Sequence, residues 1–503
     1  MACLLGIDVG TSACKAGLFS LDGAPLAQSQ AAYPVHYPRE GWAEQDPDDW
    51  WRGVAEALRA TLAGRNAGDI LGIGIGGQSW AAVMVDSAGH VLANTPIWMD
   101  TRALTECEEM KRAVGEDTLF AVCGNPTQPT YTLPKILWYR RHLPDAYRRA
   151  RWVLQSNSFI AFKLTGEVSH DLSQGYGCQC FDIRRGAWNT DILRELTLSA
   201  ALLPELSPCH QVIGRVTAEA ARITGLTAGI PVVAGGLDAA CGTLGAGVYR
   251  EGQTQEQGGQ AGGMSVCMDR CVADRRLIVS RHVLPGKWLL QGGTVGGGGV
   301  LRWLSRELCA KDALDAAEAG ISVFEAMDAQ AKDVAPGSDG VLFLPYMAGE
   351  RSPIWNPQAK GVFYGLDYSK RRAHMIRACM EGVAYSLRHN LQTAGEAGAP
   401  AGVLHAMGGS ANSLGWTQIK ADVTGRRIEV PSSDMATALG AALLAGVGVG
   451  VYDGFETAIR RTVRMRRSHV PDAANAAIYE QAYERYRQLY VLLREMMSPR
   501  SSL

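Results

Sequence analysis

Hydrophobic and polar positions mark out elements from the start of the chain. Residues 4–9 form an apolar run, Gly10-Thr11-Ser12 turns it, residues 16–20 alternate, and Asp22-Gly23 signals a second tight turn before Leu26. A helix follows, with Asp46 as N-cap and Pro47 at its first position, where the missing N–H costs nothing. Its inward face is Trp50, Val54, Ala57, Leu58, Thr61 and Leu62 at helical spacing. Residues 70–75 read as the next strand, and residues 80–92 as a hairpin about Asp86-Ser87-Ala88-Gly89. Strand-and-glycine-turn units return at residues 231–247 and 257–266. Later periodicity predicts helices over residues 369–391, 413–424 and 474–497.

Three antiparallel strands, a helix and a further strand open a ribonuclease-H-like (actin-like ATPase) domain. Their partial recurrence predicts an α/β protein of two such domains, residues 1–245 and 246–503, facing each other across a catalytic cleft. At 503 residues the chain is too long for one core. Lys plus Arg total 49 and Asp plus Glu total 50, a balance that argues against a nucleic-acid or membrane partner. The basic run from Arg460 and Arg461 through Arg464 to Arg467 reads as a solvated face. No signal peptide and no membrane span are read. Neither Cys178-x-Cys180 nor Cys267-x3-Cys271 has the companion ligands of a zinc site, so reduced thiols in a cytoplasmic enzyme are expected.

Glycine is the informative excess, with 58 residues clustered at 6–10, 72–77, 235–247, 258–263, 292–299 and 408–409. Such clusters mark sharp turns or close approach of backbone to a ligand, here expected to be rich in phosphate. Gly6-Ile7-Asp8-Val9-Gly10-Thr11-Ser12-Ala13-Cys14-Lys15 offers backbone N–H groups and hydroxyls to phosphate oxygens, with an acid placed to hold Mg²⁺. In Gly235-Gly236-Leu237-Asp238 a lone acid follows an apolar strand, where it can take a proton from an attacking hydroxyl. An N-capping role for Asp238 is the competing reading. Burial would raise its pKa and a helix N-terminus would lower it, a contest that sequence leaves open. Gly72-x-Gly74-x-Gly76-Gly77 is not a dinucleotide fingerprint, because no helix is predicted at its turn.

With these residues in order, the chain resembles the FGGY family of carbohydrate kinases, in pattern nearest its xylulokinase-like members. The resemblance rests on residues 6–15 and 41–50, on Ile97-Trp98-Met99-Asp100-Thr101-Arg102, and on Leu164-Thr165-Gly166-Glu167 with Asp171. It continues through Phe343-Leu344-Pro345-Tyr346-x3-Glu350-Arg351-x-Pro353, residues 361–381, and residues 408–425. It implies ATP and Mg²⁺ as cofactors, a small sugar or polyol as substrate, and allows a homodimer. It further implies Asp238 as catalytic base and Asp8 as metal ligand, with Gly10, Thr11, Ser12 and Lys15 near the transferred phosphoryl group. Gly259, Gln260, Ala261, Gly298, Gly408, Gly409 and Asn412 would line the nucleotide, and Gln78, Ser79, Trp80, Arg102 and Asp171 the sugar. Two departures stand out. The second phosphate loop, usually Gly-Thr-Ser, reads Gly258-Gly259-Gln260-Ala261-Gly262-Gly263-Met264-Ser265, and the substrate loop reads Gly77-Gln78-Ser79-Trp80 where xylulokinases typically carry a Met-His pair and glycerol kinases an Arg-Glu pair. A glycerol/erythritol- or ribulose-type kinase of the same family, a non-transferring sugar sensor on the same fold and a sugar-independent ATPase are the rival readings.

Overall fold

The computed structural model describes residues 1–497. Two seven-stranded sheets dominate it. In the first, Cys3–Val9, Ala13–Ser20 and Pro25–Ala32 form an antiparallel meander. Ile70–Gly77 and Pro231–Val233 extend it in parallel, Val212–Arg215 closes the edge, and Gly236–Leu237 also pairs with Ile70–Gly77. The second repeats that plan: Thr254–Gly258, Gly262–Met268 and Trp288–Thr294 form the meander, extended by Leu404–Met407, Ile428–Pro431 and Met465–His469. Ile278–Arg281 adds an outer strand.

Local chemistry sets the helices. Asp46 caps Pro47–Leu62 by accepting from the Asp48 N–H at 2.9 Å, and that helix buries Trp50, Val54 and Leu58 against the first meander. Ser413 caps Leu414–Thr424 through the Trp416 N–H. The helices expected over 369–391 and 474–497 run Arg372–Glu396 and Ala476–Leu493. The expected 80–92 hairpin is only partly formed. Val83–Val85 pairs with Trp152–Leu154, and the return reaches it through a single bridge, Val85 to Val91.

Some glycines read as ligand contacts serve packing instead. Helix Ala436–Gly448 follows a strand of the second sheet yet lies on the first, against Cys3–Val9 and Ile70–Gly77, and crosses helix Asp238–Gly245. A Cβ on Gly6 would stand 1.8 Å from the Ala438 carbonyl oxygen, and one on Gly74 1.9 Å from that of Ala441. At the helix crossing, Gly245 faces the Ala436 oxygen and Gly440 the Cys241 oxygen, each at 1.9 Å. Real Cβ atoms cannot approach so closely, so bare backbone at these positions permits the contact that joins the halves.

The basic run also differs from expectation. Arg461 donates to Asp22, Arg466 to Asn412 Oδ1 at 2.5 Å, and Arg467 to the Ala411 carbonyl, so it ties down the 411–412 loop as well as meeting solvent.

Candidate active site

Two cavities meet at Gly259. The smaller, about 300 Å³, is walled by Asp8, Gly10, Lys15, Asp238, Gln257 and Gly408, with residues 433–438 closing it. The larger, about 1200 Å³, is lined by Gly259, Gln260, Gly298, Gly409, Asn412, Phe324 and Trp416 among others. The first holds Asp8 and Asp238; the second has a mixed lining, with Leu301, Phe324 and Trp416 beside Glu325, Asp328 and Asp422.

Asp238 is the first residue of helix Asp238–Gly245; the cap position is Leu237, and the carboxylate makes no capping bond. It accepts the N–H of its neighbour Ala239 at 2.6 Å. Burial, reinforced by the nearby Asp8 charge and opposed by the Ala239 N–H, pushes Asp238 up to about 7. The contest left open by the sequence thus goes to desolvation. Asp8, raised by burial to about 6 and eased by Lys15, faces the same cavity from the end of Cys3–Val9. Two buried carboxylates, each pushed towards its neutral form, suit a divalent cation that would favour their charge. Among the described residues no cluster of three or more His, Cys, Asp or Glu side chains forms a cage. A Mg²⁺ held by Asp8, nucleotide phosphates and water fits this chemistry, because that ion commonly keeps only one or two protein carboxylates.

The other expected residues divide. Gly10 and Lys15 line the acid cavity, but Thr11 and Ser12 lie in the adjoining turn. The Thr11 hydroxyl accepts from the Trp98 indole at 2.8 Å, and the Thr11 carbonyl from Gln45 at 2.8 Å. In the loop expected to meet phosphate in the second half, the Gly259 carbonyl accepts the Gly298 N–H at 2.7 Å and the Gln260 carbonyl the Gly299 N–H at 3.0 Å. Those helix N-terminal donors are therefore spent on the loop. Ala261 lies under Gly297, where a Cβ would approach its carbonyl carbon to 2.4 Å.

Among the residues expected to face the sugar, Gln78 is buried. Its amide donates to Gln45 Oε1 at 2.9 Å, while its own Oε1 has no partner among the described residues. An orphaned buried acceptor is a group that a sugar hydroxyl would satisfy. Trp80, at φ 60°, stands edge-on to Tyr131 and Tyr176 with centroids 4.7 and 5.8 Å away, and Ser79 lies beside the Tyr176 hydroxyl. Arg102 is buried and bonded to Asp100 and Glu44, with Trp42 stacked 3.7 Å away. A guanidinium so enclosed must keep its carboxylates, so it braces the loop carrying Trp98. Asp171 is equally committed: it accepts from Asn157 at 2.9 Å, Ser173 Oγ at 2.5 Å and the Gln174 N–H at 3.0 Å. Ser173 Oγ in turn accepts the Leu237 N–H at 2.9 Å, so Asp171 steadies the residue before Asp238.

Sequence reasoning missed two buried lysines. Lys135 donates to the carbonyls of Trp80 and Ile97, each at 2.8 Å, pinning the two loops that carry Trp80 and Trp98; its signal was a lysine amid the apolar face of Thr132–His142. Lys420 donates to Glu256 at 2.6 Å and Ser410 at 2.7 Å, and lies 4.9 Å from the Trp416 ring. Removing one partner of a buried pair costs about 3–5 kcal/mol. Lys420→Met is therefore expected to lower the melting temperature and, by freeing Ser410, to raise KM for ATP without changing KM for the acceptor. Calorimetry and steady-state kinetics check both.

Paired sheets of one plan, a cleft between them and an acid at its edge define an actin-like fold equipped for phosphoryl transfer. Models of the FGGY family of carbohydrate kinases match this chain over both halves, the N-terminal domain at residues 3–245 and the C-terminal domain at residues 277–449. The chain is 31% identical to the xylulose kinase of Escherichia coli over 497 residues, covering 98% of this chain and all of that protein. It is 30% identical to the xylulose kinase of Bacillus subtilis over 500 residues, 99% and 98% of the two chains. The crystal structure of xylulose kinase from Rhodospirillum rubrum superposes with a TM-score of 0.89 at 31% identity, covering 98% and 99%. The chain belongs to the FGGY family of carbohydrate kinases.

Proposed function

We propose that this protein transfers the γ-phosphoryl group of ATP to a primary hydroxyl of an open-chain ketose or polyol, in the manner of a xylulokinase. The observation that carries the reading is Asp238, an acid poised near neutrality on the wall of a cavity that opens at Gly259 into a larger, nucleotide-sized one. As the acceptor oxygen attacks the γ-phosphorus, its proton passes to the Asp238 carboxylate, and the bond to the β,γ-bridging oxygen breaks to release ADP. Asp8 would hold Mg²⁺, which neutralises phosphate charge when bound. Lys15 and the Gly10 turn sit where they can face the transferred group. Gln78, Ser79 and Trp80 orient the sugar, with Arg102 and Asp171 as supports behind them. Residues 1–245 would supply the sugar side and residues 246–503 the nucleotide side.

Among the described residues no helix is long and apolar enough to cross a membrane, and all 12 cysteines are free, which suits a reducing cytoplasm. A panel of pentuloses, hexuloses, tetritols and glycerol, followed by ADP release, tests the function. At least one acceptor is expected to raise ADP release well above the sugar-free rate. Hydrolysis that ignores every sugar would favour an ATPase. Sugar binding without ADP release would favour a sensor, the reading that the altered Gly259-Gln260-Ala261 loop supports.

A further inference from the structure

Arg351 is a charged group with no assigned task. Its main chain is fixed on both sides: its N–H donates to Glu350 at 2.7 Å, and its carbonyl accepts from Trp355 at 2.7 Å. Its neighbour Ser352 accepts the Gly293 N–H at 3.1 Å. Its guanidinium, however, makes no hydrogen bond or ion pair among the described residues. The adjacent Glu350 carboxylate is occupied by Thr294 at 2.6 Å and the Val295 N–H at 2.9 Å. Burial depresses the Arg351 pKa, with Glu350 opposing. Arg351 is half-buried, and guanidinium groups so withdrawn from water are commonly matched to a carboxylate or phosphate. Arg377 and Arg102 in this chain follow that rule, pairing with Glu381 and with Asp100 and Glu44.

The guanidinium lies across the cleft from the first half. Its Cζ is 5.8 Å from the Trp98 ring, whose N–H bonds to Thr11 beside the phosphate turn. On its other side is Gly293, where a Cβ would come within 3.3 Å of Cζ, so bare backbone makes room for it. Arg351 does not line the cavity that holds Asp8 and Asp238. Its contact across the cleft is with Trp98, a residue that is likewise outside that cavity's lining.

We infer that Arg351 is an acceptor-binding residue supplied by the second half, taking oxygen atoms at the end of the sugar remote from the hydroxyl that is phosphorylated. A planar fork of five donors suits vicinal hydroxyls, a carbonyl or a terminal carboxylate, and the Trp98 face gives the carbon chain a wall. Because the arginine and the indole belong to opposite halves, a bound acceptor would also tie the halves together. The inference rests on the kinase reading and names a specificity determinant within it.

The test compares wild type, Arg351→Gln and Arg351→Lys with the longest and the shortest acceptors that wild type phosphorylates, including aldonates beside neutral ketoses. Loss of a charged hydrogen bond is worth roughly 10- to 150-fold. For the long acceptor KM is expected to rise by about that factor in Arg351→Gln and less in Arg351→Lys, with KM for ATP within about threefold. For the shortest acceptor the difference from wild type is expected to shrink towards unity, which general misfolding would not produce. A larger loss for aldonates identifies a carboxylate as the bound end, and a larger loss for ketoses the hydroxyl and carbonyl oxygens. Equal losses for long and short acceptors, a fall in kcat with KM unchanged, or no effect would each overturn the inference. Thermal unfolding of Arg351→Lys separates binding from folding. If wild type phosphorylates no acceptor, the kinase reading fails first and this inference falls with it.

Discussion

Replacing Asp238 with Asn is expected to lower kcat about 10³-fold, within the 10²–10⁴ range of a general base, while ATP affinity stays within about threefold. The amide keeps the volume and the contact with the Ala239 N–H but cannot take a proton. Stability should move the other way. The folded-state pKa is raised from 3.8 to about 7, so the native protein holds this proton more tightly than the unfolded chain does. The carboxyl's contribution to stability is complete below about pH 4 and is lost as pH rises through about 7. Asp238→Asn should therefore melt a few degrees above wild type at pH 8 and no higher than wild type below pH 4, as scanning calorimetry would read. An activity loss with a stability gain at alkaline pH is the signature of a functional acid held against its own preference.

The second large effect is on folding. Gly74→Ala places a Cβ 1.9 Å from the Ala441 oxygen and 2.6 Å from its carbon, both backbone atoms of a helix that cannot retreat without parting from the sheet. Overpacking of this kind costs roughly 3 kcal/mol or more, and Gly74→Val should exceed that. Soluble yield and melting temperature are expected to drop together. Gly395→Ala is the control, for a Cβ there meets nothing within 4 Å and the residue lies in helix Arg372–Glu396. It should be neutral or stabilise by up to about 1 kcal/mol. Equal behaviour of the two variants would contradict the packing role given to Gly74.

Much of this molecule was legible before its coordinates. Turn chemistry at Gly10 and Asp22-Gly23, and the Asp46-Pro47 start, are local rules, and the strands and helix stand where those rules put them. Asp238 stood out as a lone acid between an apolar strand and a run of small residues, a pattern that an N-cap fitted equally well until the structure put Leu237 at the cap. Arg102 and Asp171 were harder: their partners come from residues distant in sequence or from turn geometry that composition does not reveal. The docking of Ala436–Gly448 on the opposite sheet was hidden for the same reason. Gly6 and Gly74 looked like ligand contacts because a glycine that admits a helix and one that admits a phosphate are alike in sequence. Lys135 and Arg351 needed the opposite kind of knowledge, namely where a charge ends up and what remains to meet it.

The most direct measurement is the pH dependence of kcat/KM for the acceptor between about pH 5 and 9, a range that brackets the Asp238 ionisation. A wild-type profile that rises through about pH 7 and steepens below about 6 where Asp8 also protonates, with the limb near 7 lost and only the Asp8 limb left in Asp238→Asn, is the expected result. A flat profile in an active enzyme, or the same limb persisting in the Asn variant, would mean that the acceptor's proton goes elsewhere.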